Sequence, residues 1–386
     1  MRVAIYHNIL WSKYKGAVFT EMYAQSRARD LCISFVHIAE TEGRRVGLSG
    51  IDLSYHKYPY RLLFRGSNEA VFWGSKACAL VADLLRNPSD LAILPGYDKI
   101  EYWAMMVACV LLRRNRAVFC DSTIHDNPQR RFHGLAKRIF FSLCDGYFCY
   151  GTRSKEYLLH YGAKDSKIIF RCQAAALPHN YDRGAVMKDY ENARLEAPAP
   201  QRFVYVGRLS AEKGIADLIN AFSLVKQRLP DATLDLIGAG ELRAELEEHV
   251  RRLHLESSVH FRGSQNIHEI AGLLVRSAAL VLPSHSEPWG LVVNEALSYG
   301  CPVVVSNICG CVPELVIDGV TGYSFRARDI QSLYSAMLAI AEFFTDKLAV
   351  AERCLDVIQK RTADYAASQI LDGCAAILDG TLLPRP

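Results

Sequence analysis

Residues 279–296 read ALVLPSHSEPWGLVVNEA, and this stretch predicts a strand, a loop and a helix in direct succession. The apolar run at 279–282 has the length of a buried strand, and Pro283 opens a polar loop after it. A helix is predicted at 291–299, starting just after Gly290. A buried strand followed by a helix is the repeating unit of a parallel, doubly wound α/β sheet.

The same alternation continues on both sides of this stretch. After residue 200, further strands are predicted at 203–206, 233–237, 259–261 and 302–306, with helical segments between them. In the first half, strands are predicted at 3–7, 32–38, 91–94, 117–121, 146–150 and 167–171, and the first helix at 20–29. We therefore predict an α/β protein with two Rossmann-like domains in tandem, which face each other across a cleft at the carboxyl ends of their strands.

Residues 178–200 interrupt the alternation and mark the expected domain boundary. Residues 178–184 are rich in turn-forming types, and APAP at 197–200 is typical of a stiff spacer. We expect residues 1–180 to form the first domain and residues 181–364 the second. A C-terminal helix at about residues 365–386 is a candidate for packing back on the first domain.

The composition is that of an ordinary globular protein. Of 386 residues, 50% are hydrophobic and 22% are charged, which excludes a disordered or collagen-like chain. The apolar segments at 102–112 and 139–150 are shorter than the roughly 18 residues that a membrane-spanning helix needs. The first residues show no signal-peptide pattern, so a cytoplasmic location is expected. The 12 cysteines include no C-x-x-C pair, and we expect them to pack in the core without a metal site.

Charge is distributed unevenly along the chain. Residues 1–180 contain 25 Lys and Arg against 15 Asp and Glu, a net charge of +10, whereas the remainder carries a net charge of −6. A basic first half suits an anionic substrate, an anionic membrane or a nucleic acid. The basic residues are not interleaved with aromatic ones as they are in single-strand-binding modules, and we therefore expect no nucleic-acid partner.

A second motif follows the strand predicted at 203–206. In the loop GRLSAEKG, residues 207–214, Gly207 stands at the strand end, and Arg208 and Lys213 lie on either side of a turn. Glycine allows the backbone to approach a ligand closely, and two cations beside a helix N-terminus are suited to binding a diphosphate. The alternative is a surface turn with two solvated charges, and this octapeptide alone does not decide between the two interpretations.

Residues 279–296 contain two glutamates and the start of a predicted helix, and all three features indicate a bound ligand. The backbone amides of Gly290, Leu291 and Val292 are expected to form an anion site at the helix N-terminus. Glu287 lies in the loop, and Glu295 lies inside the predicted helix among apolar residues. A buried carboxylate without a partner is costly, so Glu295 is expected to bind a ligand group.

These residues resemble one known family. Seven residues separate the two glutamates, and EPWGLVVNEA at 287–296 is similar to the Glu-Pro-Phe-Gly-Leu-x-x-x-Glu-Ala motif of the retaining, nucleotide-sugar-dependent glycosyltransferases of the GT-B fold (glycosyl transferases group 1). The loop at 207–214 also matches, as do GCPVV at 300–304 and PELV at 313–316. The resemblance covers residues 203–326, and the first half matches only in the order of its strands and helices and at a few residues.

The resemblance implies an enzyme that transfers a sugar from a nucleoside-diphosphate donor to a hydroxyl acceptor with retention of configuration, without a cofactor or metal. It implies that Arg208 and Lys213 hold the donor diphosphate, that Glu287 binds sugar hydroxyls and that Glu295 binds the ribose. The sequence contains no Asp-x-Asp motif that would indicate a metal. The implied acceptor is a saccharide or a lipid-linked molecule in bacterial polysaccharide or glycolipid assembly.

The resemblance also places the acceptor in the first domain. The strand at 117–121 leads into DSTIHD, residues 121–126. Members of the family often have a His-Asp pair after this strand, with the histidine near the reacting centre, and His125 and Asp126 match that pair. Other members have Glu-Ser at the strand end, which makes Asp121 and Ser122 a competing assignment, and both assignments stay open.

Two segments of the first half depart from the family pattern. The turn after the first strand, residues 7–16, is predicted to be a long loop with one glycine, where the family has paired glycines. Gly16, close to Lys13 or Lys15, is the candidate for approaching the donor phosphate. The family's Asn-Gly-Val-Asp turn before the linker is replaced by AAALPHN at 174–180.

Residues 129–141 mix basic and apolar side chains at helical spacing, and RRNR at 113–116 adds charge in the same domain. A basic amphipathic helix can lie on an anionic membrane surface. The hypothesis that follows is peripheral contact with the cytoplasmic membrane face. The alternative is a helix that packs on the core and has a solvated basic edge.

Two other functions are open to a chain with this fold. A sugar-nucleotide epimerase would not be expected to carry two glutamates with this spacing. A catalytically inactive nucleotide-sugar-binding relative would be expected to have lost costly charges such as Arg208, Lys213, Glu287 and Glu295. The presence of all four favours the transferase.

Overall fold

A computed structural model of the chain describes residues 1–43, 50–126, 131–194 and 201–381, apart from the side chains of 131–133 and 193–194. These residues form two compact units. The first consists of Met1–Ala176 together with the segment that begins at Arg361, and the second is Leu177–Lys360. The boundaries thus fall after residues 176 and 360, whereas the sequence placed them after 180 and 364.

Within the described residues, the first unit contains a parallel sheet of seven strands. In chain order the strands are β1 (Arg2–Ile9), β2 (Cys32–Ala39), β3 (Tyr60–Leu62), β4 (Leu91–Leu94), β5 (Asn115–Cys120), β6 (Gly146–Cys149) and β7 (Ile168–Phe170). They lie side by side in the order β3-β2-β1-β4-β5-β6-β7, so the strand order reverses between β1 and β4. In sheets of this kind, ligands bind at the carboxyl ends of the strands beside the reversal.

Helices cover both sides of this sheet. They are α1 (Lys13–Ser26), α2 (Trp73–Arg86), α3 (Ile100–Leu111), α4 (Arg131–Ser142), α5 (Thr152–His160) and, from the end of the chain, α14 (Ala363–Asp379). Alternate residues of β1 point to opposite sides. Ala4 and Tyr6 pack in a core with α2 to α5, whereas Val3 and Ile5 pack in a second core with α1 and α14. The C-terminal helix is therefore part of the first unit.

The second unit repeats this architecture with a parallel sheet of six strands among the described residues. The strands are β8 (Arg202–Val206), β9 (Thr233–Ile237), β10 (Val259–Gly263), β11 (Ala279–Leu282), β12 (Val303–Ser306) and β13 (Gly322–Phe325), in the order β10-β9-β8-β11-β12-β13. The helices are α6 (Arg183–Arg194), α7 (Ile215–Arg228), α8 (Arg243–Arg252), α9 (Ile267–Val275), α10 (Leu291–Ser298), α11 (Val312–Leu315), α12 (Ile330–Phe343) and α13 (Lys347–Ile358). Leu280, Val281 and Val304 are fully buried, as expected for strands covered on both faces.

Several helices of the second unit begin at residues that cap them. The side chain of Asn266 accepts hydrogen bonds from the backbone amides of His268 and Glu269, while the Glu269 side chain accepts one from the Asn266 amide. The side chains of Asp329 and Asp346 each accept one hydrogen bond from a backbone amide in the first turn of α12 and α13. Such caps satisfy amides that have no partner within the helix, and they fix where each helix starts.

Two sequence predictions of local structure were wrong. The first helix begins at Lys13 and ends at Ser26, whereas it was predicted at 20–29. The stretch 178–200 was predicted to be turn and spacer, but α6 occupies Arg183–Arg194. Tyr190 of α6 is buried, and its hydroxyl donates to the carbonyl oxygen of Tyr299 (3.1 Å). The predicted spacer 197–200, residues 129–130 of the basic segment and residues 382–386 lie outside the described part of the chain.

Ten of the 12 cysteines pack in the core, as their apolar surroundings predicted, and two do not. All 12 are free thiols, and only Cys32 and Cys78 are exposed. Burial raises the pKa of the Cys301 thiol to about 12, so it stays protonated. In the described residues, no helix is both long and apolar enough to cross a bilayer.

Candidate active site

Both motifs follow strands at the reversal of the second sheet. Strands β8 and β11 are neighbours, with Phe203 paired to Ala279 and Val204 paired to Leu280 in parallel register. Their carboxyl ends therefore lie side by side, and the loop at 207–214 is next to the loop at 283–290. This is the position at which open α/β sheets bind ligands.

The two loops contact each other directly. The backbone amide of His285 donates to the carbonyl oxygen of Glu212 (2.8 Å). Gly214 has a φ of +65°, and a Cβ atom placed on it would lie 2.2 Å from the carbonyl oxygen of Pro283. Only glycine tolerates both the left-handed backbone and this close approach. The two loops can therefore approach each other this closely only with a glycine at position 214.

The predicted cations lie in this double loop, and each is paired with an acid. The Lys213 Nζ atom is 2.5 Å from Glu287 Oε2, and both side chains are only 15% exposed. The Arg208 Nη2 atom is 2.7 Å from Glu212 Oε1 in a more exposed pair. The Glu287 ion pair thus links the two motifs through side chains as well as backbone.

A third pair, which the sequence analysis did not assign, supports the same loop. The His285 Nε2 atom lies 2.7 Å from Asp217 Oδ2, on the first turn of α7. A histidine in a loop after a buried strand is a signal that could have been used. Its partner Asp217 lies 68 positions away in the chain, and the sequence contains no sign of that contact.

Helix α10 begins where the sequence analysis placed it. Gly290 is its N-cap with a φ of +101°, a backbone region that glycine adopts without strain. The indole Nε1 of Trp289 donates to Asn294 Oδ1 (2.8 Å), which fastens the loop to the helix. The amides of Leu291 and Val292 belong to the first turn, which has no partners inside the helix. They therefore supply donors and a positive dipole end at this loop.

Glu295 lies one turn further along α10 in surroundings that differ from those of Glu287. Its neighbours Asn294 and Ala296 are buried, and it is itself half-buried. Desolvation raises the pKa of the Glu295 carboxyl to about 7. Among the residues that the structure describes, neither a cation nor a hydrogen-bond donor contacts this carboxylate. In its ionised form it is a costly group that the described residues do not compensate.

In the first unit, the loop after β5 contains the predicted acceptor residues. Asp121 and His125 are both exposed. Partial burial and the nearby Arg153 lower the pKa of His125 below its ordinary value. Asp126 has a structural contact, because its Oδ1 accepts from the backbone amide of Thr123 (2.8 Å) and closes the turn. His125 is therefore held on an ordered turn with its ring towards solvent.

The turn after β1 is shorter than the sequence predicted, and this changes the surroundings of Gly16. Strand β1 ends at Ile9 and α1 begins at Lys13, so Gly16 lies in the helix and not in a loop. A Cβ atom on Gly16 would lie 2.7 Å from the ring of His56. The close approach that this glycine permits in the structure is to a side chain of its own unit.

A buried cationic cluster beside this turn was not predicted. The Nζ of Lys15 donates to the hydroxyl of Tyr150 (2.7 Å), and the guanidinium of Arg171 lies 3.9 Å from the centre of the same ring. Arg171 is 1% exposed, and burial together with Arg171 lowers the pKa of Lys15 far below its ordinary value. The position of Arg171 after a predicted strand was the available signal, but its burial depends on contacts distant in sequence.

In the chain segments that the structure describes, no group of three or more His, Cys, Asp or Glu side chains is arranged to hold a metal ion. The polar groups found at the double loop are cations and backbone amides, which donate hydrogen bonds, and carboxylates, which accept them. Such groups suit an anionic ligand that also carries hydroxyls.

Part of the chain is similar to known proteins. The model of the family described as Glycosyl transferases group 1 matches residues 187–354. A glycogen synthase of Mycobacterium tuberculosis is 37% identical over 173 residues, which are 45% of this chain and 41% of that protein. A poly(glycerol-phosphate) alpha-glucosyltransferase of Bacillus subtilis is 28% identical over 184 residues, which are 47% of this chain and 26% of that one. The matched stretches thus span less than half the length of either relative.

The likeness in fold extends over the whole chain. The structure of the HepE protein of Anabaena in complex with UDP superposes with a TM-score of 0.72 and covers 97% of this chain and 100% of its own, at 19% identity. The fold is therefore GT-B, with its two parallel α/β sheets. Residues 187–354, less than half of the chain, are similar to the glycosyl transferases group 1 family.

Proposed function

We propose that this protein is a retaining glycosyltransferase that moves a sugar from a nucleoside-diphosphate donor to a hydroxyl acceptor. The observation that carries the proposal is the meeting of two loops at the reversal of the second sheet, beside the N-terminus of α10. There Arg208, Lys213 and Glu287 lie within ion-pair distances of their neighbours. The relatives support it, since they are a glycogen synthase and a glucosyltransferase, and the HepE structure contains UDP.

Arg208 and Lys213 are proposed to bind the donor diphosphate. In the free protein each cation is paired with an acid, Glu212 or Glu287, and a diphosphate would compete for both. The amides of Leu291 and of the residue after it add donors at a helix N-terminus, a common phosphate site. The same groups would stabilise the charge that develops on the leaving nucleoside diphosphate. With this positive charge available, the proposed reaction requires no metal.

The two glutamates are proposed to bind the two ends of the donor. Glu287, once Lys213 turns to the diphosphate, can accept hydrogen bonds from sugar hydroxyls. Glu295 can accept hydrogen bonds from the two adjacent hydroxyls of a ribose, which would compensate a carboxylate that has no donor among the described residues. Gly207 begins the first loop and Gly290 ends the second, and neither adds a side chain beside the proposed ligand.

The first unit is proposed to bind the acceptor and the second unit the donor. The acceptor oxygen bonds to the anomeric carbon on the face from which the diphosphate departs. The bond between that carbon and the phosphate oxygen breaks, and the acceptor proton passes to the departing oxygen. Because its pKa is lowered, His125 is neutral at pH 7 and can hydrogen-bond the transferred sugar; Asp121 is the alternative contact. A saccharide or lipid-linked acceptor in bacterial polysaccharide or glycolipid assembly fits the basic first half.

Release of the nucleoside diphosphate tests the proposal without a known acceptor. The full chain is incubated with UDP-, GDP-, ADP- and TDP-glucose, and the nucleotide released by slow hydrolysis is quantified by chromatography. We expect release from one of the four donors. Lys213→Met should lower it by a factor of about 10² to 10³, as for loss of one charge-stabilising group. Lys360→Met, an exposed lysine of the same unit, is the matched control and should leave the rate unchanged.

Three outcomes distinguish the proposal from its alternatives. Release that is equal in Lys213→Met and wild type would contradict the assigned role of Lys213. Binding of a nucleotide sugar without any release would favour a catalytically inactive relative. A change in the configuration of the sugar still attached to the nucleotide would indicate an epimerase.

A further inference from the structure

Helix α3 presents an apolar face to solvent. Ile100, Val107 and Leu111 are exposed, Leu111 to 78%, and their spacing places them on one side of the helix. The one charged residue in the sequence of α3, Glu101, is buried, and its Oε1 lies 3.0 Å from the Nζ of Lys76. A surface helix normally carries polar side chains on its outer side. Helix α3 carries no polar side chain at Ile100, Val107 or Leu111.

Helices α2 and α4 extend this apolar region on either side. Helix α2 packs along α3, and the ring of Trp103 in α3 contacts that of Phe140 in α4, with centroids 5.2 Å apart. All three helices cover the same side of the first sheet. We call the exposed large apolar residues of these three helices and their ends the α3 face; besides Ile100, Val107 and Leu111 they are Phe72, Trp73, Leu85, Val110, Leu112, Leu135 and Ile139.

Exposed arginines accompany the α3 face on each of the three helices. Arg86 lies in the last turn of α2, Arg113 follows the end of α3, and Arg138 lies between the exposed Leu135 and Ile139 on α4. In the part of the chain that the structure describes, none of these three arginines has a carboxylate partner. The first 180 residues also carry a net charge of +10. The face thus combines exposed apolar side chains with three exposed arginines.

We propose that the α3 face binds the surface of an anionic phospholipid bilayer. Its apolar side chains would enter the boundary between headgroups and acyl chains, and the arginines would contact the anionic headgroups. The rings of Phe72 and Trp73 are in contact, with centroids 5.1 Å apart, and tryptophan is enriched at membrane interfaces. A second copy of the chain fits less well, because a symmetric dimer through this face would bring like-charged arginines together.

The proposal concerns a surface of the first unit and needs no nucleotide. If the protein also transfers sugars, binding at this face would hold it where lipid-linked acceptors are found. Vesicle binding and nucleotide release can fail separately, so each is tested on its own terms.

Sedimentation with vesicles tests the proposal. The full chain is centrifuged with vesicles of phosphatidylcholine alone or with about 30% phosphatidylglycerol, at physiological salt. We expect co-sedimentation with the anionic vesicles. Val107→Glu combined with Leu111→Glu should reduce the partition coefficient more than tenfold, and Arg113→Gln with Arg138→Gln by a factor of about five for each arginine removed. Phe343→Glu is the matched control, since Phe343 is also exposed but lies in the second unit; it should bind as wild type does.

Circular dichroism and nucleotide thermal shifts show whether each variant is folded. Because the substituted residues are exposed, we expect both measurements to match those of the wild-type protein. Absence of co-sedimentation of the wild-type protein with anionic vesicles would overturn the proposal. So would equal binding by the Val107→Glu, Leu111→Glu variant and by wild type. Reversible dimerisation in sedimentation velocity that this variant abolishes, without vesicle binding by wild type, would assign the face to a second copy and overturn it too.

Discussion

At the scale of single residues, the two glutamates of the second motif have different surroundings although they lie on one short segment. Glu287 is paired with Lys213 at 2.5 Å, while Glu295 lies on an apolar helix without a donor among the described residues. Desolvation raises the pKa of Glu295 to about 7, and pairs of carboxyl groups with contrasting environments commonly have separate tasks. In the proposed function, one binds the sugar and the other the ribose.

Glu295→Gln should make the free protein more stable and its nucleotide binding weaker. Because the folded-state pKa lies above the unfolded value of 4.5, ionisation of Glu295 costs stability as the pH rises from about 4.5 through 7. Removing the ionisable group should therefore raise the free energy of unfolding at pH 8 by up to about 3 kcal/mol. The gain should disappear near pH 4.5. Urea unfolding at the two pH values measures it, and calorimetry measures nucleotide affinity.

Glu256→Gln is the control for this prediction, because Glu256 is an exposed acid of the same unit. It should change the unfolding free energy by less than about 0.5 kcal/mol. If Glu295→Gln were destabilising at pH 8, the carboxylate would have a stabilising partner, and its assignment as a ligand group would lose its physical basis.

At the scale of elements, loops that follow central strands were predictable and the surroundings of α1 were not. The strand at 279–282 and the helix start at Gly290 agree with the structure because local signals mark both, an apolar run and a glycine after a polar loop. Helix α1 was misplaced because its first turn contains Lys15 and Gly16, which look like loop residues. Lys15 is buried by Tyr150, 135 positions away, and such a contact leaves no local signal.

Some contacts of the candidate site could also be predicted from local sequence signals, and others could not. The cations and glutamates of the second unit stand at strand ends and helix starts, so a strand-by-strand interpretation brings them together. The pairing of His285 with Asp217 and the contact of Gly16 with His56 depend on packing. Helix α6 was missed because turn-forming residues precede it at 178–182, and its stabilising contact at Tyr190 is with Tyr299, also distant in sequence.

Gly214→Ala should separate the two loops. The φ of +65° is unfavourable for alanine, and the added Cβ would lie 2.2 Å from a backbone oxygen of Pro283. We expect a loss of about 2–4 kcal/mol of unfolding free energy from the strained backbone and the clash, and a loss of nucleotide binding. Gly272→Ala is the control: it lies within α9 and has open space around its Cβ position. That substitution should stabilise the protein by about 0.5–1 kcal/mol, and equal effects of the two would contradict the packed double loop.

At the scale of the whole molecule, each unit has its own core, and the first unit contains buried histidines. Burial lowers the pKa of His37 to about 3 and that of His56 to about 4. Their rings lie 6.0 Å apart, and each contacts the hydroxyl of Tyr58. Both are neutral in the folded unit at pH 7. In the same unit, α14 closes the second core with residues near the end of the chain.

The first unit should lose stability on acidification. Because the unfolded chain protonates histidine near pH 6.5 and the folded unit does so only near pH 3 to 4, the stability present above pH 6.5 is lost as the pH falls. The loss should reach about 3 kcal/mol for each ring by pH 4. Tryptophan fluorescence suits the measurement, since Trp11, Trp73 and Trp103 lie in this unit and only Trp289 lies in the other. His56→Gln should reduce the dependence of the unfolding free energy on pH by the amount expected for one proton. An unchanged dependence would contradict the conclusion that His56 is held neutral in the folded unit.

The central claim, a donor site in the double loop of the second unit, is tested most directly by thermal shifts with UDP, GDP, ADP and TDP, each with and without EDTA. A ligand that binds only the native state raises the Tm by mass action. We predict a shift with one of the four nucleotides that EDTA leaves unchanged and that Arg208→Ala abolishes. Arg243→Ala should retain the shift, because Arg243 forms a similar exposed pair with the glutamate four residues later (2.8 Å, against 2.7 Å for Arg208). A well-folded protein that shows no shift with any nucleotide, or an equal shift in the Arg208→Ala variant, would contradict the claim.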